Sequence, residues 1–266
     1  MPVLLSPFTD PLSHSVYDSS IEYEGQRLKL TKSMILHKQL SMMRGDLKGI
    51  YIVSPNIRLE MNGAVSSGRH LIEFSQVDIE LAGADCKTFM GLTERLYRKI
   101  VADVVKDCRT ELELLGRRIA VPEDSFKVHD SNDLKEEFGK DWEYEISIRE
   151  KQPFWVTDHY REFYDKEDPE TGKHINYDLI YPEGLGEALS GGERETDYAI
   201  ILRKMKERKT DPRDYADYLA IAERGLLKPT AGGGFGVERL VRYLTGRKHI
   251  REVTPFPRVP GERIVI

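Results

Sequence analysis

A chain of 266 residues is long enough to bury a full core and to form one enzyme-sized domain. Its net charge of −5 supplies no field that would draw in a nucleic acid or an anionic membrane surface. The two cysteines, Cys86 and Cys108, have neither zinc-site nor redox-pair spacing, no stretch approaches ~20 apolar residues, and MPVLLSPFTDPLSHS lacks a basic leader, so a soluble, cytoplasmic protein is expected.

The first thirty residues alternate apolar and polar positions between Pro and Ser breaks and read as short strands and loops. SMILHKQLSMMRGD places Ile35, Leu36, Gln39, Leu40 and Met43 at helical spacing and stops at Gly45. GIYIVSPNIRLE and RHLIEFSQVDIELAG alternate with period two and predict a hairpin whose long tip is MNGAVSSG. Parity puts Asn56, Arg58 and Glu60 on one face of the first strand, and Phe74, Gln76 and Asp78 on one face of the second. Polar and charged side chains gathered on one face of a central strand need a reason.

From Cys86 to Leu115, Phe89, Leu92, Leu96, Ile100, Val104 and Val105 form the apolar stripe of a core-covering helix. Residues 130–152 are highly charged and read as an exposed insert with a short helix at DLKEEF. PFWVTDHY reads as a strand, and INYDLIYPEGLGEALSGG as a second hairpin. Two helices follow, ETDYAIILRKMKERK and DPRDYADYLAIAERG, the latter opened by Asp211-Pro212 and closed by Gly225. Clustered antiparallel strands with helices outside them indicate an α+β domain.

Near the C-terminus, TAGGGFGVERLVRYLTG runs a glycine-rich strand into a helix. It lacks the Lys-Ser or Lys-Thr of a P-loop, and Val237 or Arg239 stands where a dinucleotide-binding turn needs its third glycine. What remains is a flat backbone for a planar ligand and an arginine, Arg239, at a helix start suited to an anion. Close packing of strand on helix, with Arg239 as surface charge, explains the stretch equally well. In the second hairpin a symmetric register around PEG sets Asp178 opposite Glu187, and facing carboxylates call for a cation between them. Oxygen ligands beside a polyphosphate suit Mg²⁺, with Ser190 adding a hydroxyl. A surface pair of Glu187 with Arg194 is the alternative. Together with Arg58, these residues suit attack of a carboxylate on the α-phosphate of ATP, where catalysis is positioning and charge stabilisation.

At this point the residues resemble a known family. NIRLE…GRHLIEFSQVDIE is similar to motif 2 of the class II aminoacyl-tRNA synthetases, and GGGFGVERLVRYLTGRKHIREVTPFPR to motif 3 in its aspartyl/asparaginyl form. LTKSMILHKQL and YDLIYPEGLGEALSGGERE fit the same subgroup. The resemblance implies an antiparallel sheet of about six strands flanked by helices, over one catalytic domain spanning residues 1–266. Carried over by position, it makes Arg58 and Arg239 catalytic and surrounds ATP with Arg58, Glu60, Arg69, His70, Leu71, Phe74, Glu187, Gly236 and Arg239. Within that set Arg58 bridges the α-phosphate and the reacting carboxylate, Glu60 reads the adenine amino group, and Phe74 stacks on adenine beneath Arg239. Asp178, Glu187 and Ser190 correspond to the Mg²⁺ ligands. Gln76, Asp78, Ser190 and Gly233 belong to the amino-acid pocket, where Lys38 and Arg194 correspond to the pair gripping a side-chain carboxylate. Two cations suit aspartate better than a neutral amide. A solvated Lys38, or an Asp78 paired only with Arg69, remains open.

Departures from the family pattern shape the functional expectation. The anticodon-reading barrel and the long motif 1 helix have no counterpart, and Lys32, Met34 and Ile35 replace the family's residues in LTKSMILHKQL. SMILHKQL and SPNIRLE are shared with the archaeal asparagine synthetases related to these enzymes. That resemblance implies aspartate, ATP and free ammonia as substrates, a β-aspartyl adenylate, AMP and asparagine as products, and tRNA as an unlikely partner. In that scheme Lys38 and Arg194 hold the α-carboxylate and Arg58 orients the β-carboxylate. A stand-alone synthetase charging a tRNA or another acceptor is the alternative, and a non-catalytic paralogue a third; a homodimer is left open.

Overall fold

A seven-stranded sheet organises the computed structural model, which describes residues 2–12, 15–61, 64, 67–123 and 125–264. In chain order the elements are β1 (Leu5–Ser6), β2 (Ser20–Tyr23), β3 (Gln26–Leu30), α1 (Ile35–Ser41), β4 (Gly49–Ile57) and β5 (Glu73–Ala82). Next come α2 (Cys86–Asp107), α3 (Arg109–Leu114), β6 (Val128–Asp130), α4 (Ser131–Phe138) and α5 (Trp142–Arg149). The chain continues through β7 (Phe154–Thr157), β8 (Asn176–Tyr181), β9 (Gly186–Glu193), α6 (Tyr198–Arg208), α7 (Ala216–Glu223), β10 (Thr230–Gly236) and α8 (Val237–Thr245). Strands β1, β3 and β2 form a small sheet of their own. The main sheet runs β4-β5-β10-β9-β8-β7-β6 and is antiparallel except where β6 pairs parallel to β7.

The α+β expectation holds, with seven strands rather than about six. The additional strand, β6, begins just ahead of the charged run at 130–152, where a three-residue strand leaves no readable alternation. The same run folds as α4 and α5, so DLKEEF is helical and the insert is structured. Most of the MNGAVSSG tip lies outside the described residues.

The sheet has one apolar and one polar face, because side chains alternate along each strand. Ile79, Trp155, Tyr177, Leu179, Tyr181, Leu189, Ala231 and Phe235 point to the first, where Phe89, Tyr97 and Val101 of α2 and Tyr243 of α8 cover them. Helix α2 starts at Asp85, whose side chain accepts from the Thr88 N–H at 2.8 Å. On the other face the register aligns Ile52, Asp78, Gly234, Ser190 and Asp178 in one row across β4, β5, β10, β9 and β8. The next row aligns Ile50, Glu80, Gly232, Gly192 and Asn176. The one-faced polarity anticipated from parity is therefore real on β5, β9 and β8, while in these rows β10 contributes only glycine and β4 contributes Ile52 and Ile50.

Glycine at β10 has a steric cause on this face. A Cβ at Gly232 would overlap the Glu80 carboxylate, and one at Gly234 would overlap Gln76 and Asp78. The strand is bare so that its neighbours can fold their polar side chains over it.

Candidate active site

The polar face opens into a cleft of about 290 Å³. Arg58 and Glu60 reach it from the end of β4, Phe74 and Gln76 from β5, Glu187 and Ser190 from β9, and Arg239 from the first turn of α8. Arg69, His70, Leu71 and Gly236 complete the wall, so every residue expected around the nucleotide lines one cavity. A narrower recess of about 60 Å³ adjoins it and is lined by Lys38, Gln76, Asp78, Ser190, Arg194 and Gly233. Those are the residues expected around the amino acid. Arg58, Gln76, Ser190 and Gly234 line both spaces and mark their junction.

Electrostatics in the cleft follow from four arginines around one carboxylate. Burial opposes the ionisation of Glu187, but Arg239, Arg161, Arg69 and Arg58 outweigh it and hold its carboxyl at about 2. Arg239 Nη1 donates to the Glu187 carbonyl at 3.1 Å and to its carboxylate at 3.3 Å, while Nε donates to the Arg69 carbonyl at 3.3 Å. The Arg58 guanidinium lies 5.0 Å from the Phe74 ring centroid and donates to the Lys32 carbonyl at 3.0 Å. Burial, then Arg239 and Arg69, push His70 down to about 3, so it is neutral at physiological pH. Glu60 is raised by its burial.

The hairpin register differs from the symmetric one. Asp178 pairs with Ser190 and Glu187 with Ile180, not Asp178 with Glu187. The turn between the strands takes positive φ at Glu183 and Gly184 (66° and 72°), and a bulge interrupts the ladder between Leu179 and Ile180. An irregular turn cannot be placed by counting inward from its centre. Both carboxylates nevertheless remain on the polar face, each matched by an arginine: Glu187 by Arg239, and Asp178 by Arg161. Glu187 does not pair with Arg194, and Arg69 pairs with Glu143 of α5 while Asp78 pairs with Lys38.

No cluster of three or more His, Cys, Asp or Glu poised for a metal exists among the described residues. Of the expected Mg²⁺ ligands, Glu187 and Ser190 line the cleft, whereas Asp178 is buried, paired with Arg161, and lines neither cavity; two carboxylates and a hydroxyl are the kind of donor set that holds this ion together with substrate phosphates. No helix among the described residues is long and apolar enough to cross a membrane.

Lys38 and Arg194 are buried and already paired. Arg194 Nε and Nη2 donate to the two oxygens of Glu80 at 3.0 and 3.1 Å, and Nη1 to Asp165 at 3.5 Å. Thr230 Oγ1 adds a 2.7 Å bond to Glu80. Lys38 Nζ lies 2.9 Å from Asp78 and 3.5 Å from Glu80. Two cations thus stand against three carboxylates, and charge by itself no longer selects aspartate over asparagine.

Sequence reasoning missed Asp10, Arg161, Glu162, Tyr164 and Asp165, which also line these cavities. Four of the five lie on the connection between β7 and β8, where no alternation or glycine pattern flags them.

Comparison with known proteins adds the context. The family model described as tRNA synthetases class II (D, K and N) matches residues 12–260. The asparagine–tRNA ligase of Desulforamulus reducens is 31% identical over 259 residues, covering 90% of this chain and 59% of that protein. That of Pyrococcus abyssi is 32% identical over 236 residues, 81% of this chain and 53% of the relative. Among solved structures, Pyrococcus horikoshii asparaginyl-tRNA synthetase complexed with asparaginyl-adenylate superposes with a TM-score of 0.87 at 27% identity, over 100% of this chain and 64% of its own. The aspartyl-tRNA synthetase of Entamoeba histolytica gives 0.73 at 25% identity, over 89% and 53%. The chain therefore spans about three fifths of the length of these relatives. The matched relatives carry the names of tRNA ligases, which overturns two expectations: an ammonia-dependent asparagine synthetase, and tRNA as an unlikely partner. The first leaned on the short strings SMILHKQL and SPNIRLE and on the altered positions Lys32, Met34 and Ile35, and the second also on total charge; none of these reports the acceptor at the site.

Proposed function

The chain belongs to the class II tRNA synthetases (D, K and N), and from that premise we propose that it activates aspartate or asparagine with ATP and transfers the aminoacyl group to a tRNA. The observation that carries this reading is the junction of the two cavities, where Arg58, Gln76, Ser190 and Gly234 border both the larger cleft and the narrow recess. A carboxylate held in the recess faces the α-phosphate of a nucleotide held in the cleft. In the first step a carboxylate oxygen bonds to the α-phosphorus and pyrophosphate departs. In the second a ribose hydroxyl attacks the acyl carbon and AMP leaves.

Arg58 neutralises charge on both reactants, which would otherwise repel, and its contact with Phe74 keeps the guanidinium over the cleft. Arg239 receives the far phosphates, and Phe74 offers the adenine a flat apolar face. In the recess, Asp78 presents a carboxylate to an α-ammonium, while Lys38 and Arg194 set the polarity met by the substrate side chain. Asp178, Glu187 and Ser190 would hold Mg²⁺, which would supply charge neutralisation to the phosphates.

The test is amino-acid-dependent ATP–pyrophosphate exchange with aspartate and asparagine in parallel, followed by charging of tRNA transcripts. Exchange with one of the two, followed by acyl transfer, is expected. Arg239→Ala lowers exchange by about 10²–10³-fold, in line with the loss of one charge-stabilising donor. Exchange that ignores both amino acids rejects the proposal.

A further inference from the structure

Arg161 stands between β7 and β8, and its side chain lines both cavities at their junction. Its guanidinium donates to both carboxylate oxygens of Asp178 and to Oγ of Ser190. These are two of the three groups to which the metal is assigned above. The fork of a guanidinium matches a carboxylate bidentately, so the pairing is specific as well as electrostatic. On its other side Asp178 meets His159, whose Nε2 lies 3.2 Å from Oδ2.

A guanidinium that engages both oxygens of Asp178 and the Ser190 hydroxyl competes with a metal for the same lone pairs and adds like charge beside it. We propose that Arg161 is the resident counter-ion of the Asp178–Ser190 anchor, that Mg²⁺ arriving with ATP displaces it, and that the freed guanidinium then contacts the phosphates at the cavity junction. Arg161 is thereby a substrate-contacting residue that also keeps the anchor closed to metal until the nucleotide brings its own ligands. The inference rests on the assignment of Asp178 and Ser190 to the metal in the preceding subsection.

Mn²⁺ binding followed by electron paramagnetic resonance tests it without any turnover. Without nucleotide, Arg161→Gln binds Mn²⁺ about tenfold or more tighter than the wild type, because Asp178 is left without its cation. The same variant binds ATP several-fold more weakly, because one arginine–phosphate contact is lost. Arg161→Lys, which keeps the charge, leaves Mn²⁺ affinity near wild type. A merely structural role would weaken both ligands together. Mn²⁺ affinity in a folded Arg161→Gln no higher than in the wild type overturns the proposal. The double variant with Asp178→Asn separates the two levels of inference. Loss of the gained affinity supports the anchor, whereas unchanged Mn²⁺ binding shows that Asp178 is no metal ligand and overturns the underlying assignment as well.

Discussion

Glu162 lines the cleft, and burial together with Asp10 pushes its carboxyl up to about 7. Over the same range Glu187 stays ionised and His70 stays neutral. The folded protein therefore holds a proton on Glu162 that the unfolded chain, with an ordinary carboxyl near 4.5, releases. Between about pH 4.5 and 7 the native state binds more protons, so this group's contribution to stability falls as pH rises through that window and levels off above it. Glu162→Gln removes the slope. Melting temperatures of wild type and variant from pH 5 to 8 check this, and parallel profiles would refute it. Such a residue is invisible in the sequence, where YREFYDKED reads as an ordinary charged stretch. Arg58 and Arg239 were legible because each sits beside a strand or glycine pattern that defines its surroundings.

At the scale of elements, the glycine-rich β10 leading into α8 was readable as neither a P-loop nor a dinucleotide turn, and its Gly234 lines both cavities, with Gly236 on the cleft and Gly233 on the recess. The reason for its glycines is the neighbouring side chains: Glu80, Gln76 and Asp78 fold over the space that side chains on β10 would fill. Likewise Arg194, at the end of β9, reads as a free ligand for a substrate, yet it is locked against Glu80 and Asp165. Arg194→Leu consequently acts on folding before it acts on specificity. It leaves two buried carboxylates short of a cation and destabilises the domain by about 3 kcal/mol or more. Pairing it with Glu80→Gln restores a good part of that loss. Urea denaturation of the single and double variants measures the difference, and a single variant within about 1 kcal/mol of wild type would show that the pair is not structural.

For the whole molecule, a net charge of −5 means that any tRNA is held by local contacts rather than by a broad field. Each engaged phosphate then weakens binding about threefold between 50 and 200 mM salt. Acyl transfer to tRNA accordingly falls with salt, while amino-acid-dependent pyrophosphate exchange, measured without tRNA, changes far less. Equal sensitivity of the two would argue against a tRNA acceptor.

Chemistry-bearing residues in four separated motifs, and the period-two alternation that gives each strand one polar face, were determined by the sequence alone. Alternation assigns side chains to faces without reference to the rest of the chain, so the α+β class could be read in advance; the residues expected around the nucleotide and the amino acid came from the family resemblance, and Asp10, Arg161, Glu162, Tyr164 and Asp165 from neither. Tertiary structure decided the pairing: Asp178 with Ser190, Lys38 and Arg194 with Asp78, Glu80 and Asp165, and Arg161 with Asp178 and Ser190. Those pairings depend on the dihedral angles of one irregular turn and on charges brought together from strands far apart in the chain, neither of which leaves a periodic trace.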